Sequence, residues 1–295
     1  MSEIKAQYTA PRHGGPHVLE FGSVSDAIET AFAVGRGSNR ESVAYADAQV
    51  ARNDGGGLGT QWVNGATSAA VKQWISRPPA GVVAAVANMR ERIEEAVEPP
   101  TRKRRKRRFG QEDGEELDPQ RVVERRTDAW ELHERVRVHA VAVRVLVNVG
   151  VHCGRRPEDL LYRGAAAAVM CDVLTGLGCS VEIVAGFYSS RLCRDKSDGV
   201  ASVLVKRMDA PLDIASVAVC LAEIGFFRAV VLPAVARSMP VAVAEGMGSV
   251  RPLGGVGEVG RHDVTFESDI LDEESAVRRV LEHAETVRKE ISNAK

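Results

Sequence analysis

Apolar and polar positions change period several times along the chain, and each change marks an element. "FGSVSDAIETAFAVG" places Ala27, Ile28, Ala31 and Phe32 on one helical face, with Ser23 or Ser25 as the N-cap. A glycine-rich loop and a short Trp62 segment follow. The next helix is capped near Thr67 or Ser68 and carries Ala70, Val71 and Trp74. "RPPAG" stops it, and "VVAAVANMRERIEEAV" predicts one more helix. Residues 16–97 therefore read as a small, mostly helical N-terminal module, behind a loose arm over 1–15.

The pattern shifts after the acidic stretch that ends near Asp118. "QRVVERRTDAWELHER" reads as helical, and "RVHAVAVRVLVNVGV" is the strongest β-branched strand in the chain. "PEDLLYRGAAAAVMCDVLTGLG" is a helix with Pro157 in its first turn and Gly178 at its stop. Two strands, "CSVEIVAGFYSS" and "GVASVLVKRMD", precede "PLDIASVAVCLAEIGFFRAVVLPAVA", which predicts one or two helices. "HDVTFESDI" is a late strand, and an amphipathic helix with Asp272 near its N-cap closes the chain. Strands alternating with long helices predict an α/β domain over 120–295: a mainly parallel, Rossmann-type sheet covered by helices on both faces.

Composition refines this picture. The 295 residues are 44% hydrophobic but only 5% aromatic, so Val and small residues must fill the core. The formal net charge of -1 excludes a general polycation, and any nucleic-acid affinity must be local. Five cysteines with no CxxC pair fit reduced, buried thiols. No run reaches the length of a membrane span and the N-terminus lacks a signal-peptide core, so a soluble cytoplasmic protein with no membrane partner is expected.

Charge is concentrated between the two parts. Arg102, Lys103, Arg104, Arg105, Lys106, Arg107 and Arg108 are consecutive cations, followed by Glu112, Asp113, Glu115, Glu116 and Asp118. Residues 98–119 read as an exposed charged linker. The basic run could instead contact DNA or RNA phosphates in a salt-sensitive way, or the segment could order by docking.

The polar loop after the strongest strand is the other candidate site. It offers Asn148, Gly150, His152, Cys153, Arg155 and Arg156 beyond a strand end, where α/β folds place ligands. Its spacing is neither GxGxxG nor GxxxxGK[ST], and the adjacent His152 and Cys153 are not the separated pair a thiol nucleophile needs. No complete catalytic constellation is present, and no cofactor or metal is expected.

The order of long strand, polar loop, helix and two-strand hairpin, then "MDAPLDIASVAVCLAEIG", resembles a von Willebrand factor A-type (VWA) domain from about Val136 onward. That family carries an Asp-x-Ser-x-Ser motif for a divalent cation after its first strand. The matching positions here are Asn148, Gly150 and His152, which lack the carboxylate and both hydroxyls, so the resemblance implies a degenerate metal site. It also implies a binding edge made by Asn148, Gly150, His152, Arg155 and Arg156 together with Asp209 and Asp213. "RRFGQEDGEELDPQRV", "RGAAAAVMCDVLTGLGCSVEIVA" and "MDAPLDIASVAVCLA" further resemble uncharacterised proteins of tailed phages and mobile elements. A non-catalytic interaction or scaffold protein with a protein partner is the leading expectation. A nucleic-acid-associated factor using 102–108 and a nucleotide-directed enzyme using 148–156 are the alternatives. Oligomeric state is left open.

Overall fold

The computed structural model describes residues 5–11, 14–55, 66–96, 106–111, 116–117, 119–127, 129–134, 141–151, 156–244, 247, 249–253 and 264–293. The chain forms two compact units, one from Met1–Glu98 with Ala142–Lys295 and one from Pro99–Val141.

The larger unit begins with strands β1 (Ala6–Thr9) and β2 (His17–Phe21). Helix α1 (Val24–Ala31) starts where the Ser23 hydroxyl accepts from the Asp26 N–H, and α2 (Arg40–Asp54) where Asn39 accepts from Glu41 and Ser42. Helices α3 (Ser68–Trp74), capped by Thr67, and α4 (Ala80–Ala96) complete its first part.

The smaller unit contains β3 (Lys106–Gln111), β4 (Glu116–Leu117), a short α5 (Pro119–Val123) and β5 (Trp130–Glu134). Its three strands pair antiparallel in the order β3-β5-β4.

The chain re-enters the larger unit with β6 (Ala142–Asn148), α6 (Pro157–Gly176), β7 (Ser180–Ser190) and β8 (Gly199–Lys206). Pro157 sits in the first turn of α6, and Gly178 ends that helix with φ +84. Then α7 (Ile214–Ala222) and α8 (Ile224–Phe226) lead through a π-helical turn, Phe227–Val231, to α9 (Leu232–Ser238). Strands β9 (Ser249–Arg251) and β10 (Val264–Phe266) and helix α10 (Glu273–Asn293) close it.

The larger unit has a mixed sheet of seven strands in the order β1-β2-β8-β7-β6-β10, with β9 also paired to β7. The β2–β8, β6–β7 and β6–β10 pairs are parallel, whereas β1–β2, β7–β8 and β7–β9 are antiparallel. The expected α/β class is thus present, but the sheet is mixed rather than mainly parallel. The β7–β8 return gives one antiparallel pair, and two N-terminal strands, where an arm and a mostly helical module were expected, give another.

Helices gather in two groups. In one, α4, α6, α7 and α10 pack on one another; in the other, α1 and α2 pack on α9 and the π-helical turn. Helix α6 is so enclosed that its run Gly164–Cys171 is buried without a break. Gly164 permits this, because a Cβ there would meet the Leu221 and Ala222 backbone of α7.

The described residues correct several boundaries. The 1–15 arm contains β1, and the 16–97 module contributes β2 to the main sheet, so it is not a separate domain. Arg237 of α9, fully buried, fixes it there. Its guanidinium donates to the Ala31 and Arg36 carbonyls at 2.9 and 3.2 Å and pairs with Asp47 at 2.5 Å. The 98–119 linker includes two strands, and the helix expected over 120–135 is a short helix followed by β5. Trp130 and Leu132 alternate with the polar Glu131 and His133, a period that suits a strand better than a helical face.

Candidate functional site

At the end of β6 the parallel pairing to β7 stops at Asn148 opposite Gly186. Beyond it β9 takes over the same flank of β7, pairing with Tyr188–Ser190. The space beyond the strand end, where a ligand would sit in an open α/β sheet, is thereby lined with the protein's own backbone.

Asn148 is 0% exposed and uses its whole amide inside the fold. Its Nδ2 donates to the Arg251 carbonyl at 3.1 Å and to the Glu267 carboxylate at 2.9 Å. Its Oδ1 accepts the Gly150 N–H at 3.0 Å. Arg163, rising from α6, donates to the Asn148 and Gly150 carbonyls at 2.5 and 3.3 Å, and Arg228 donates to the Val151 carbonyl at 3.3 Å. Gly150 is packed so closely that a Cβ would lie 2.5 Å from Val250 Cγ1 and 3.1 Å from Phe187 Cδ2. A serine hydroxyl has no place there.

The position that would hold a cation in a VWA-like domain therefore holds an internal knot of hydrogen bonds instead. Asn148 joins β6 to β9 and to the end of β10, and both it and Gly150 are withdrawn from any partner. Arg156 remains exposed, in contact with Asp159 at 3.9 Å. His152, Cys153 and Arg155 lie outside the described residues. Among the described residues no group of three His, Cys, Asp or Glu side chains is placed to hold a metal ion.

Asp209 and Asp213 do not share this edge. Because β8 runs antiparallel to β7, Lys206 pairs beside Ile183, near the start of β7, while Asn148 pairs beside Gly186 and points toward its end. The "DAPLD" segment leaves the sheet at the end opposite the β6 loop. Asp209 is exposed and paired with Arg207 at 3.2 Å. Asp213 caps α7, accepting from the Ala215 and Ser216 N–H groups and from the Ser216 hydroxyl. These bonds hold its carboxyl below the usual carboxylate range, the Ser216 hydroxyl contributing most. The single binding edge expected from the sequence is in fact two separate places.

The basic run behaves differently again. Arg102 to Arg105 lie outside the described residues, but Lys106, Arg107 and Arg108 form the first half of β3. They sit in register with Glu134, His133 and Leu132 of β5. Pro99–Val141 holds twelve Lys or Arg against nine Asp or Glu, a charge of +3, where the larger unit holds 27 against 31, a charge of -4.

Cys171, Cys179, Cys193 and Cys220 are free and buried. Burial pushes the Cys220 thiol up to about 12 and raises Cys171 and Cys193 as well, so these are packing residues rather than nucleophiles. No single described helix is long and apolar enough to cross a membrane, and the bent pair Ile214–Ala222 and Ile224–Ser238 is core.

Sequence reasoning located the β6 loop but missed what fills it. Arg163, Arg251 and Glu267 lie 15, 103 and 119 positions from Asn148. The one local signal was Arg163 itself, a lone cation on the otherwise apolar stretch of α6.

Over residues 16–287 the chain matches a family described as a domain of unknown function, DUF7192, and it belongs to that family. No curated protein and no solved structure matches it.

Proposed function

We propose that the protein is a non-catalytic interaction protein, a VWA-like scaffold carrying an inserted basic β-unit that contacts nucleic acid. Support for the scaffold comes from the β6–α6–β7 crossover and the antiparallel β7–β8 return, the connectivity that the resemblance implies. Its metal loop is filled by Asn148, Arg163 and Glu267, which argues against chemistry at that edge and against docking through it.

The observation that carries the nucleic-acid reading is the placement of the cations. Three cations of a seven-cation run begin β3, a strand at the edge of a small sheet, in a unit of opposite charge to the rest of the chain. A segment already paired in a sheet loses less conformational freedom on meeting phosphates than a solvated linker does. The resemblance to proteins of tailed phages and mobile elements points the same way.

The test is binding of the full chain to a mixed-sequence DNA duplex and to RNA across a salt series. A variant with Lys106, Arg107 and Arg108 changed to Gln runs beside it. Wild type is expected to bind without sequence preference. The slope of log affinity against log salt should shrink by about 0.9 for each phosphate contact the variant loses. Absence of binding at low salt, or equal binding by the variant, would overturn this reading.

A further inference from the structure

A second crevice lies at another place on the same sheet. Strands β2 and β8 are adjacent and parallel, with Phe21 beside Val203 at the end of the shared register. From these neighbouring ends the chain departs into different helical groups. After β2 it enters α1, which packs with α9 and the π-helical turn; after β8 it enters α7, which packs with α4 and α6. Such a divergence between parallel neighbours is a topological switch point, where open α/β sheets leave room for ligands.

Room is present. A cleft of about 320 Å³ opens there, with Ile75, Leu204, Pro211 and Val217 among its apolar walls. Residues from the turn between β2 and α1, the end of α3, β8 and α7 meet around it, although they lie up to about 200 positions apart in sequence.

Lys206 lines the cleft and is only 7% exposed. Its ammonium donates to the Val181 and Arg207 carbonyls at 2.7 and 3.0 Å. Among the described residues no carboxylate lies within ion-pair distance of it, and its third N–H has no acceptor. The one carboxylate lining the cleft, Asp213, is already held by the α7 N-terminus and the Ser216 hydroxyl. Arg207 stands at the exposed side, paired with Asp209. Burial pulls the Lys206 pKa below its ordinary value, against smaller opposing effects of Cys171 and Asp209. A buried ammonium without a counter-charge is costly to keep, an anion paired with it would offset that cost, and such a group in a cleft marks a candidate site.

We propose that this cleft binds a small organic anion, whose apolar body lies between the walls at Leu204 and Val217 and whose carboxylate pairs with Lys206. The volume fits a ligand of roughly ten to twenty non-hydrogen atoms, in the lower part of the range for small-molecule pockets. Short aliphatic or aromatic carboxylates have the required form. This site is independent of the nucleic-acid reading, since it lies wholly within the larger unit.

The test uses the full chain and the fluorescent probe 8-anilinonaphthalene-1-sulfonate, which combines an aromatic body with one anionic group. Saturable binding of one probe per chain is expected. Octanoate should displace it roughly tenfold more strongly than octanol, the same tail without the charge, and acetate should not displace it. Lys206→Met should bring octanoate down to the level of octanol, while Lys206→Arg keeps the preference for the anion. Ala210→Trp, a change on the loop at the cleft, should abolish probe and octanoate binding while the circular dichroism spectrum and thermal transition stay those of wild type. Equal displacement by octanoate and octanol in the wild type would overturn the proposal. So would probe binding that survives Ala210→Trp, or an anion preference that survives Lys206→Met.

Discussion

The sheet has two places where strand ends could hold a ligand, and the fold treats them in opposite ways. Beyond β6, Asn148 spends its amide on Arg251, Glu267 and Gly150, and β9 runs across the gap. Beyond β2 and β8 the gap stays open, and Lys206 lies along it with no carboxylate in reach among the described residues. Both places have the topology of a site. What separates them is whether the polar groups are satisfied within the chain: a crevice whose buried donors and acceptors already bond one another is a piece of core, whereas one with an unmatched charge is incomplete without a partner.

The largest expected effect tests the closed crevice. Asn148→Ala strands the buried Gly150 N–H and removes one partner each from the Arg251 carbonyl and the Glu267 carboxylate. A stranded buried donor costs about 1–3 kcal/mol, and with the lost bonds to β9 and the end of β10 a loss of about 3 kcal/mol is expected in urea unfolding. Asn148→Asp supplies the carboxylate that a VWA-type loop has, but sets it against Glu267, and a comparable loss is expected with no recovery in Mg²⁺. If Mg²⁺ restored that variant, the crevice would be a cation site after all. Gly150→Ser follows in size. Its Cβ would press on Val250 and Phe187, and overpacking of this kind costs about 1–3 kcal/mol.

The two crevices also differ in how legible they were. The strand, loop and helix from Val143 to Leu161 stood out in the sequence because β-branched residues, a polar break and Pro157 occur in succession. The same contrast made the loop look like a site, since nothing local shows that Arg163, Arg251 and Glu267 converge on it. The open cleft gave no signal. Its lysine ends the apolar run "GVASVLVK", where it reads as an ordinary solvated strand end, and its walls come from residues near 22, 75, 204 and 217. Antiparallel pairing of β7 and β8, the hairpin expected from the sequence, is what sends Asp209 and Asp213 to that end, away from the β6 loop with which they were grouped. The basic run misled for a related reason. Charge density argues against a buried core but not against a strand in a small sheet, and Lys106–Arg108 form one.

A third, smaller effect places a pH response at the closed end. His283 of α10 lies against Phe266 of β10, with ring centroids 5.6 Å apart, and its Nε2 is 3.3 Å from the Thr265 carbonyl oxygen. Burial, aided by Arg279, lowers its pKa from the ordinary 6.5, against opposing effects of Thr265 and Glu282. A folded pKa below the unfolded one means that the unfolded chain takes up the proton first. Stability is therefore complete above about pH 6.5 and falls as the pH drops from there toward the folded value. Urea midpoints at about pH 7.5 and about pH 5.5 should show this fall. His283→Gln, which can still donate to Thr265, should remove its share of the slope, and an unchanged slope would show that the ring is not the group responding.

The smallest effect is expected at the open cleft, and its smallness is the point. Lys206→Met exchanges a buried ammonium for an apolar chain of similar length. Replacements of this kind at uncompensated charges are neutral or favourable, so stability should stay within about 1 kcal/mol of wild type or rise. A pH signature accompanies it. With the folded pKa of Lys206 below 10.5, the unfolded chain holds the proton over a range where the folded chain releases it, so wild-type stability rises with pH across that alkaline window. In Lys206→Met this rise should vanish. A substantial loss of stability in the variant would instead mean that Lys206 is satisfied by Val181 and Arg207 alone. The cleft would then be closed in the same sense as the β6 loop, and the contrast between the two ends of the sheet would collapse.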